Sequence, residues 1–207
     1  MRVVCISDTH EKHRKLGTLP PGDLLIHAGD MTMKGNFHRL AAEAEWLRQQ
    51  AHPFKVVIAG NHDLSLQNNP ITRTLFHGLT YLDEDSVEVQ GIEIFGTPWS
   101  PSFCNWAFNA DLGDQCRFHW QKIPETTDIL VVHGGPHGYG DRCEDGREVG
   151  CPDLTATIER IRPKLVVCGH VHEAYGIYTM PCGTRVVNAS VLDARYKVAN
   201  APIVVEI

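Results

Sequence analysis

Five short apolar runs in this chain each stop at a residue type that binds metals: VVCIS before Asp8, LLIHAG before Asp30, KVVIAG before Asn61, ILVV before His133 and LVVCG before His170. Runs of four to six Val, Ile and Leu residues without polar alternation mark strands covered on both faces. Between them, the segment 37–51 carries Phe37, Leu40, Ala41, Ala44, Leu47 and Ala51 on one helical face, with Asn36 as its N-cap. A shorter helix is expected around 70–77, and DLTATIERI reads as a helix leading into the strand at 165–168. VEVQGIEIFGTP alternates about Gly91, the pattern of a hairpin in a half-exposed sheet.

Strands near 3–7, 24–29, 55–60, 129–133 and 165–168 thus alternate with helical segments in βαβ order, and the closing runs IYTM, RVVNAS and IVVEI are expected to be antiparallel. The fold expected is α/β: a four-layer α/β/β/α sandwich of two mixed β-sheets flanked by helices, in a single domain over 1–207. Open α/β sheets bind ligands at the carboxyl ends of their strands, so the five strand ends should converge.

Composition narrows the function classes. A net charge of -6 with no basic run argues against a surface that tracks polymeric nucleic acid. The chain enters its first strand directly from Arg2, without a signal-like apolar core, and no stretch reaches the length of a membrane span, so a soluble cytoplasmic protein is the expectation. Seven cysteines cannot all pair within one chain. Cys5 and Cys168 lie in apolar strands, where a thiol behaves as a small hydrophobe, and Cys143 and Cys151 flank a loop without forming a CxxC pair, so no disulfide or thiolate metal site is expected.

The chemistry gathers at the strand ends. Asp8 and His10 form a DxH pair, which points both side chains the same way if the backbone stays extended. Asp30 follows as GD, Asn61, His62 and Asp63 as GNHD, then His133, and His170 with His172 as GHVH. Each alone is compatible with an ordinary turn or cap. Together they form a set of Asp, His and Asn donors without thiolates, suited to hard or borderline divalent cations, and two such ions side by side suit phosphoryl chemistry.

The ordered motifs DxH, GD, GNHD, H and GHxH resemble those of the calcineurin-like metallophosphoesterase superfamily, and none is substituted here. CISDTH, VVIAGNH, TPWSPSFCNWAFN, IPETTDILVVHGGP, VGCPDL, RPKLVVCGHVH and NAS are similar, over nearly the whole chain, to the small metallophosphoesterase-domain-containing proteins first known from animal brain, which are cyclic-nucleotide phosphodiesterases. Two departures stand out. Some members carry Gly at the first His of the last motif, where this chain has His170, and HGGP stands where HGPP is often found.

The resemblance implies one metal on Asp8, His10, Asp30 and His172, and a second on Asp30, Asn61, His133 and His170, with Asp30 bridging. It also implies that a water shared by the two ions attacks phosphorus in line, that His62 contacts the phosphate or protonates the leaving oxygen, and that Asp63 orients His62. The donor set leaves Mn, Fe, Zn, Co and Ni open. The activity expected is a metal-dependent phosphodiesterase acting on a small phosphoester, a cyclic nucleotide above all. The alternatives are a phosphomonoesterase of the same superfamily and a catalytically weak metal-binding interaction scaffold, which retention of His62 and His170 weighs against.

The remaining candidates carry weaker signals. Trp99, Phe103, Trp106 and Phe108 cluster in one segment, where core packing and a wall for a nucleobase both fit. His137 follows His133 by four residues and, with Arg142 and Arg147 of the same Gly-rich loop, is within range of a substrate or simply solvated. His27 is expected to be packed and hydrogen-bonded inside a strand, whereas His13, His38, His52, His77 and His119 are expected on helical or loop surfaces.

Overall fold

The computed structural model of the chain describes residues 1–207, the Pro70 side chain apart. Its strands in chain order are β1 (Arg2–Ile6), β2 (Leu24–Ala28), β3 (Phe54–Ile58), β4 (Thr80–Tyr81), β5 (Asp85–Val89), β6 (Ile92–Thr97), β7 (Ser100–Pro101), β8 (Asn109–Ala110), β9 (Ile129–Val132), β10 (Leu165–Cys168), β11 (Gly176–Thr179), β12 (Arg185–Asn188) and β13 (Ile203–Glu206). The helices are α1 (Phe37–Arg48), α2 (Leu64–Asn68), α3 (Asp114–Trp120) and α4 (Pro152–Ile161). One five-stranded sheet runs β13-β1-β2-β3-β4 and one six-stranded sheet runs β11-β12-β10-β9-β6-β5.

Burial explains why these strands read as unbroken apolar runs. In β1, Val3 and Cys5 join Ile26, Ile58, Ile129, Val131 and Val167 in the core between the sheets. Val4 and Ile6 point the other way, into a second core with Leu40, Ala44 and Leu47 of α1. A third core packs Val132, Val166 and Val186 of the six-stranded sheet against Cys116 and Trp120 of α3 and Leu154 and Ile158 of α4. Every central strand is therefore covered on both faces, and the four-layer expectation holds. Truncating an inter-sheet residue such as Ile26 or Ile129 to Ala costs about 2–5 kcal/mol.

Several local expectations need correction. β12 pairs with β10 in parallel, and only β11 with β12 and β13 with β1 are antiparallel among the closing strands. The helix expected at 70–77 is a 3₁₀ segment, Pro70–Phe76, separated from α2 by an extended Asn69 (φ -139°) whose side chain accepts from the Ile71 amide. α3 has no counterpart among the expected elements, because seven residues are too few to establish a helical period. Asn36 does cap α1, accepting from the His38 and Arg39 amides, but Phe37 is 46% exposed while Glu43 takes a fully buried place on the inner face. His13, His52 and His119 are buried and not on the surface, each beside a polar partner: Glu43, the Pro20 carbonyl and Glu84 respectively. All seven cysteines are free thiols.

Candidate metal centre

The parallel strands β1, β2, β3, β9 and β10 all end on the same side, so the loops that follow bring Asp8, Asp30, Asn61, His133 and His170 together. Their backbones are unusual. Asp8 (φ 55°), His10 (φ 40°), Asp30 (φ 57°) and His170 (φ 69°) all lie in the left-handed region, where a non-glycine residue costs of order 1–3 kcal/mol. The DxH pair is therefore not extended, as its spacing suggests, but wound into a tight turn. That turn is held by Asp8 N–H donating to Gly29 O (2.9 Å) and His10 N–H donating to Asp30 O (3.1 Å). Four of the eleven non-glycine residues with positive φ among those described are these chemically matched donors, the kind of clustering that accompanies functional sites.

The donors form two groups. Asp8, His10 and His172 place ligand atoms within 4.8 Å of one another, and so do Asp30, His133 and His170. Asp30 lies between them, with Oδ2 3.6 Å from His10 Nε2 and 3.3 Å from His133 Nε2. Asn61 Oδ1 lies 2.9 Å from both His133 Nε2 and His170 Nδ1. Three rings are oriented by backbone carbonyls: Nδ1 of His10 meets Thr32 O (3.0 Å), that of His133 meets Ala28 O (2.9 Å) and that of His172 meets Asp193 O (3.0 Å). A carbonyl fixes Nδ1 as the donor, which leaves each Nε2 lone pair facing the cluster.

Two observations bear on how these residues fit a divalent cation. His10 Nε2 is buried and has no hydrogen-bond partner, a position that costs free energy unless something else satisfies it. The three motif glycines, Gly29, Gly60 and Gly169, are required by close approach. A Cβ at Gly60 would lie 2.2 Å from Asp30 Oδ1, and one at Gly169 would lie 2.1 Å from Asp8 Oδ2, so any side chain would displace a carboxylate.

The electrostatics of the metal-free cluster follow from its crowding. Burial works against ionisation of Asp8 and Asp30, but His172 beside Asp8 and His133 beside Asp30 outweigh it and hold both carboxyls well below their usual range. Burial alone would likewise lower His133 and His172. Asp30 beside the first and Asp8 beside the second push each up to about 9. His170 goes the other way, to about 4, because burial and the neighbouring His133 prevail.

His62 and Asp63 do not act on each other as expected. The His62 amide donates to Asp30 Oδ1 (2.8 Å), its ring Nδ1 meets Met33 O (2.9 Å), and the ring stacks on Trp106 at 4.1 Å and 24°. Asp63 instead sits fully buried beneath the loop, accepting from the Thr32 amide (2.9 Å), Thr32 Oγ1 (2.8 Å) and the Gly60 amide (3.0 Å). Burial first, then the charge of Asp30, push it up to about 7. Its role is to tie the two turns together and not to orient His62.

A cleft of about 670 Å³ opens over the cluster, reaching Asp30, Asn61, His62, His170 and His172 at its floor. Phe103, 58% exposed, forms one wall, and Arg147, Glu144, Asp145, Glu173 and Tyr196 line the rest. Trp99 lies elsewhere, stacked on His119 at 3.8 Å, and Phe108 is core. His137 faces Asp141 and Glu148, and Arg147, not Arg142, reaches the cleft. Sequence reasoning missed Tyr196, whose ring packs 4.9 Å from His10 and 5.0 Å from His172, and Ser190, whose hydroxyl donates to Asp8 Oδ2 at 2.8 Å. Ser190 belongs to the NAS motif, which is the available signal; Tyr196 has none.

Comparison with known proteins agrees with this geometry. The family profile described as calcineurin-like phosphoesterase matches residues 1–174. Human metallophosphoesterase domain-containing protein 1 is 37% identical over 233 residues, an overlap covering 100% of this chain and 71% of that protein. The Caenorhabditis elegans protein named UPF0046 protein C25E10.12 is 35% identical over 229 residues, covering 100% of this chain and 81% of the relative. The crystal structure of TT1561 of Thermus thermophilus superposes with a TM-score of 0.62 at 14% identity, covering 90% of this chain and 88% of that one, a likeness of fold. A profile matching most of the chain and a relative aligned along all of it lead to one conclusion: the chain belongs to the calcineurin-like phosphoesterase family.

Proposed function

We propose that this protein is a dinuclear metal-dependent phosphodiesterase acting on small nucleotide-type diesters. The observation that carries the reading is the placement of Asp30 beside His10 of one donor group and His133 of the other. In this reading Asp8, His10, Asp30 and His172 hold one divalent cation and Asp30, Asn61, His133 and His170 hold the other. Bound there, the pair would supply a deprotonated water near neutral pH and neutralise charge building on the phosphoryl oxygens.

The chain's own residues do the rest. His62 Nδ1–H donates to the Met33 carbonyl, so Nε2 is the ring atom left for the substrate, and it gives a proton to a phosphate oxygen or to the leaving oxygen only from the doubly protonated ring. Trp106 braces the ring from behind, and the backbone N–H of His62 keeps Asp30 Oδ1 in place. Phe103 offers an exposed aromatic face on which a base stacks. The cleft wall carries three carboxylates, Glu144, Asp145 and Glu173, against one guanidinium, Arg147. Such a rim repels a doubly charged monoester more than a singly charged diester, which favours the diesterase reading over the monoesterase.

A panel of cyclic nucleotides, bis-p-nitrophenyl phosphate and p-nitrophenyl phosphate, assayed on metal-free protein and then with Mn, Fe, Zn, Co or Ni added, tests this. The diesters are expected to show the higher kcat/KM. A better monoester makes the protein a phosphatase, and no hydrolysis with any metal makes it a scaffold.

A further inference from the structure

The inner face of α1 is apolar at Leu40, Ala44 and Leu47, yet position 43 on that face is a glutamate with 0% exposure. Among the described residues its only ionisable partners are His13 and His27, and no Lys or Arg pairs with it. A carboxylate is among the costliest groups to bury, so this one calls for an explanation that packing does not supply.

Its contacts form a hydrogen-bond chain whose direction is determined at each step. The Gly29 amide donates to His27 Nδ1 (3.3 Å), so the ring proton resides on Nε2. Burial holds this imidazole neutral, lowering it to about 3. Nε2 then donates to Thr9 Oγ1 (3.0 Å), and the Thr9 hydroxyl, having accepted, donates to Glu43 Oε1 (2.7 Å). The other oxygen, Oε2, accepts from His13 Nδ1, at the start of the 3₁₀ segment His13–Leu16. One end of this chain is the residue before Asp30, and its middle is the residue between Asp8 and His10. Both turns are left-handed: φ is 55° at Asp8, 40° at His10 and 57° at Asp30. An acceptor on α1 thus fastens the strained turn that presents Asp8 and His10 to the turn that presents Asp30.

We propose that Thr9 and Glu43 are positioning residues that set the affinity of the Asp8–His10–His172 group for its cation, through a buried hydrogen-bond chain that includes none of the donors. The proposal rests on the dinuclear reading above. The backbone bonds from Asp8 to Gly29, from His10 to Asp30 and from Glu11 to Met31 do not involve these side chains, so the turns persist in variants while losing their fine placement. Groups that orient metal ligands in this way are worth roughly 10–100-fold in metal affinity.

The test is calorimetric titration of metal-free protein with Mn²⁺, for wild type, Thr9→Val, Thr9→Ser, Glu43→Leu and Glu43→Gln, each paired with a thermal melt. Wild type is expected to bind two ions. Thr9→Val and Glu43→Leu should weaken one of the two binding events by roughly 10–100-fold and the other, which shares only Asp30 with it, by distinctly less. Thr9→Ser, which restores the hydroxyl, and Glu43→Gln, whose amide oxygen still accepts from it, should bind as wild type does. Thr9→Val removes a single hydroxyl and keeps the test decisive when Glu43→Leu does not fold. Unchanged affinities with a lowered Tm would make the chain a packing element and overturn the proposal. Equal weakening of both events, or failure of Thr9→Ser to rescue, also overturns it. A wild type that binds no Mn²⁺ refutes the dinuclear reading itself, a different result from two normal events in every variant.

Discussion

Replacing His62 with alanine separates chemistry from metal holding more cleanly than any other single change. The bond from this residue to the cluster is its backbone N–H to Asp30 Oδ1, at 2.8 Å, and alanine keeps it. What disappears is the ring: one hydrogen bond to Met33 O, one stack on Trp106 and an edge contact with His10 at 4.8 Å. Each is worth about 0.5–1.5 kcal/mol, so the variant loses about 1.5–4.5 kcal/mol of stability and is expected to stay folded. The catalytic loss expected for a proton donor is about 10²-fold or more in kcat, equivalent to about 2.7 kcal/mol of barrier. Steady-state kinetics on two diesters differing only in leaving group, with elemental analysis of the same samples, reads both effects. Metal content should match wild type, and the kcat loss should be large for an alkoxide leaving group and small for p-nitrophenolate, which barely needs a proton. Equal losses would refute the acid role and leave His62 as a phosphate contact, while lost metal would mean that the ring itself supports the centre.

Asp30→Ala should strip nearly all metal whereas His172→Ala retains about half the wild-type content, because the Asp30 carboxylate lies beside His10 of one group and His133 of the other; two metals per chain in Asp30→Ala would refute the bridge. Trp106→Ala should lower kcat about 2–10-fold for every substrate by loosening His62, and an unchanged kcat would remove its bracing role. Phe103→Ala should raise KM for a cyclic nucleotide but not for methyl p-nitrophenyl phosphate, with equal effects excluding base stacking at that wall. The metal-free protein should be most stable near pH 6.5. His133 and His172, raised to about 9, stabilise the fold below the unfolded value and lose that contribution as pH rises toward 9, while His27 and His170, lowered to about 3 and 4, favour unfolding by taking up protons as pH falls below 6.5. Melts in the presence of chelator check this, and a Tm still climbing between pH 7 and 9 would contradict it.

Where the sequence is readable, a strong local pattern coincides with a global role. The strands that end at Asp8, Asp30 and His133 are apolar throughout because both faces are covered, and their carboxyl ends share one side of the sheets by the logic of parallel pairing. What escapes depends on three-dimensional detail that carries no period. The left-handed turn at Asp8–His10 looks like an alternating pair in one dimension. Glu43 occupies the helical phase of Leu40 and Ala44, so its burial follows from the period, but its partner Thr9 lies 34 residues away. Trp99 and Trp106 are separated by only seven positions, yet one stacks on His119 and the other on His62, a difference made by the loop that carries the chain from β7 round to pair in parallel as β8. Tyr196 reaches the cleft from the long connection between β12 and β13, where nothing in the local sequence marks it.

Everything proposed for the centre depends on Asp30 joining two cations. Electron paramagnetic resonance of the protein loaded with two equivalents of Mn²⁺ tests it directly, since ions about 3.5–4 Å apart are exchange-coupled. A coupled multiline spectrum that is lost in Asp30→Ala is expected. A six-line spectrum of isolated Mn²⁺ at full loading would contradict it.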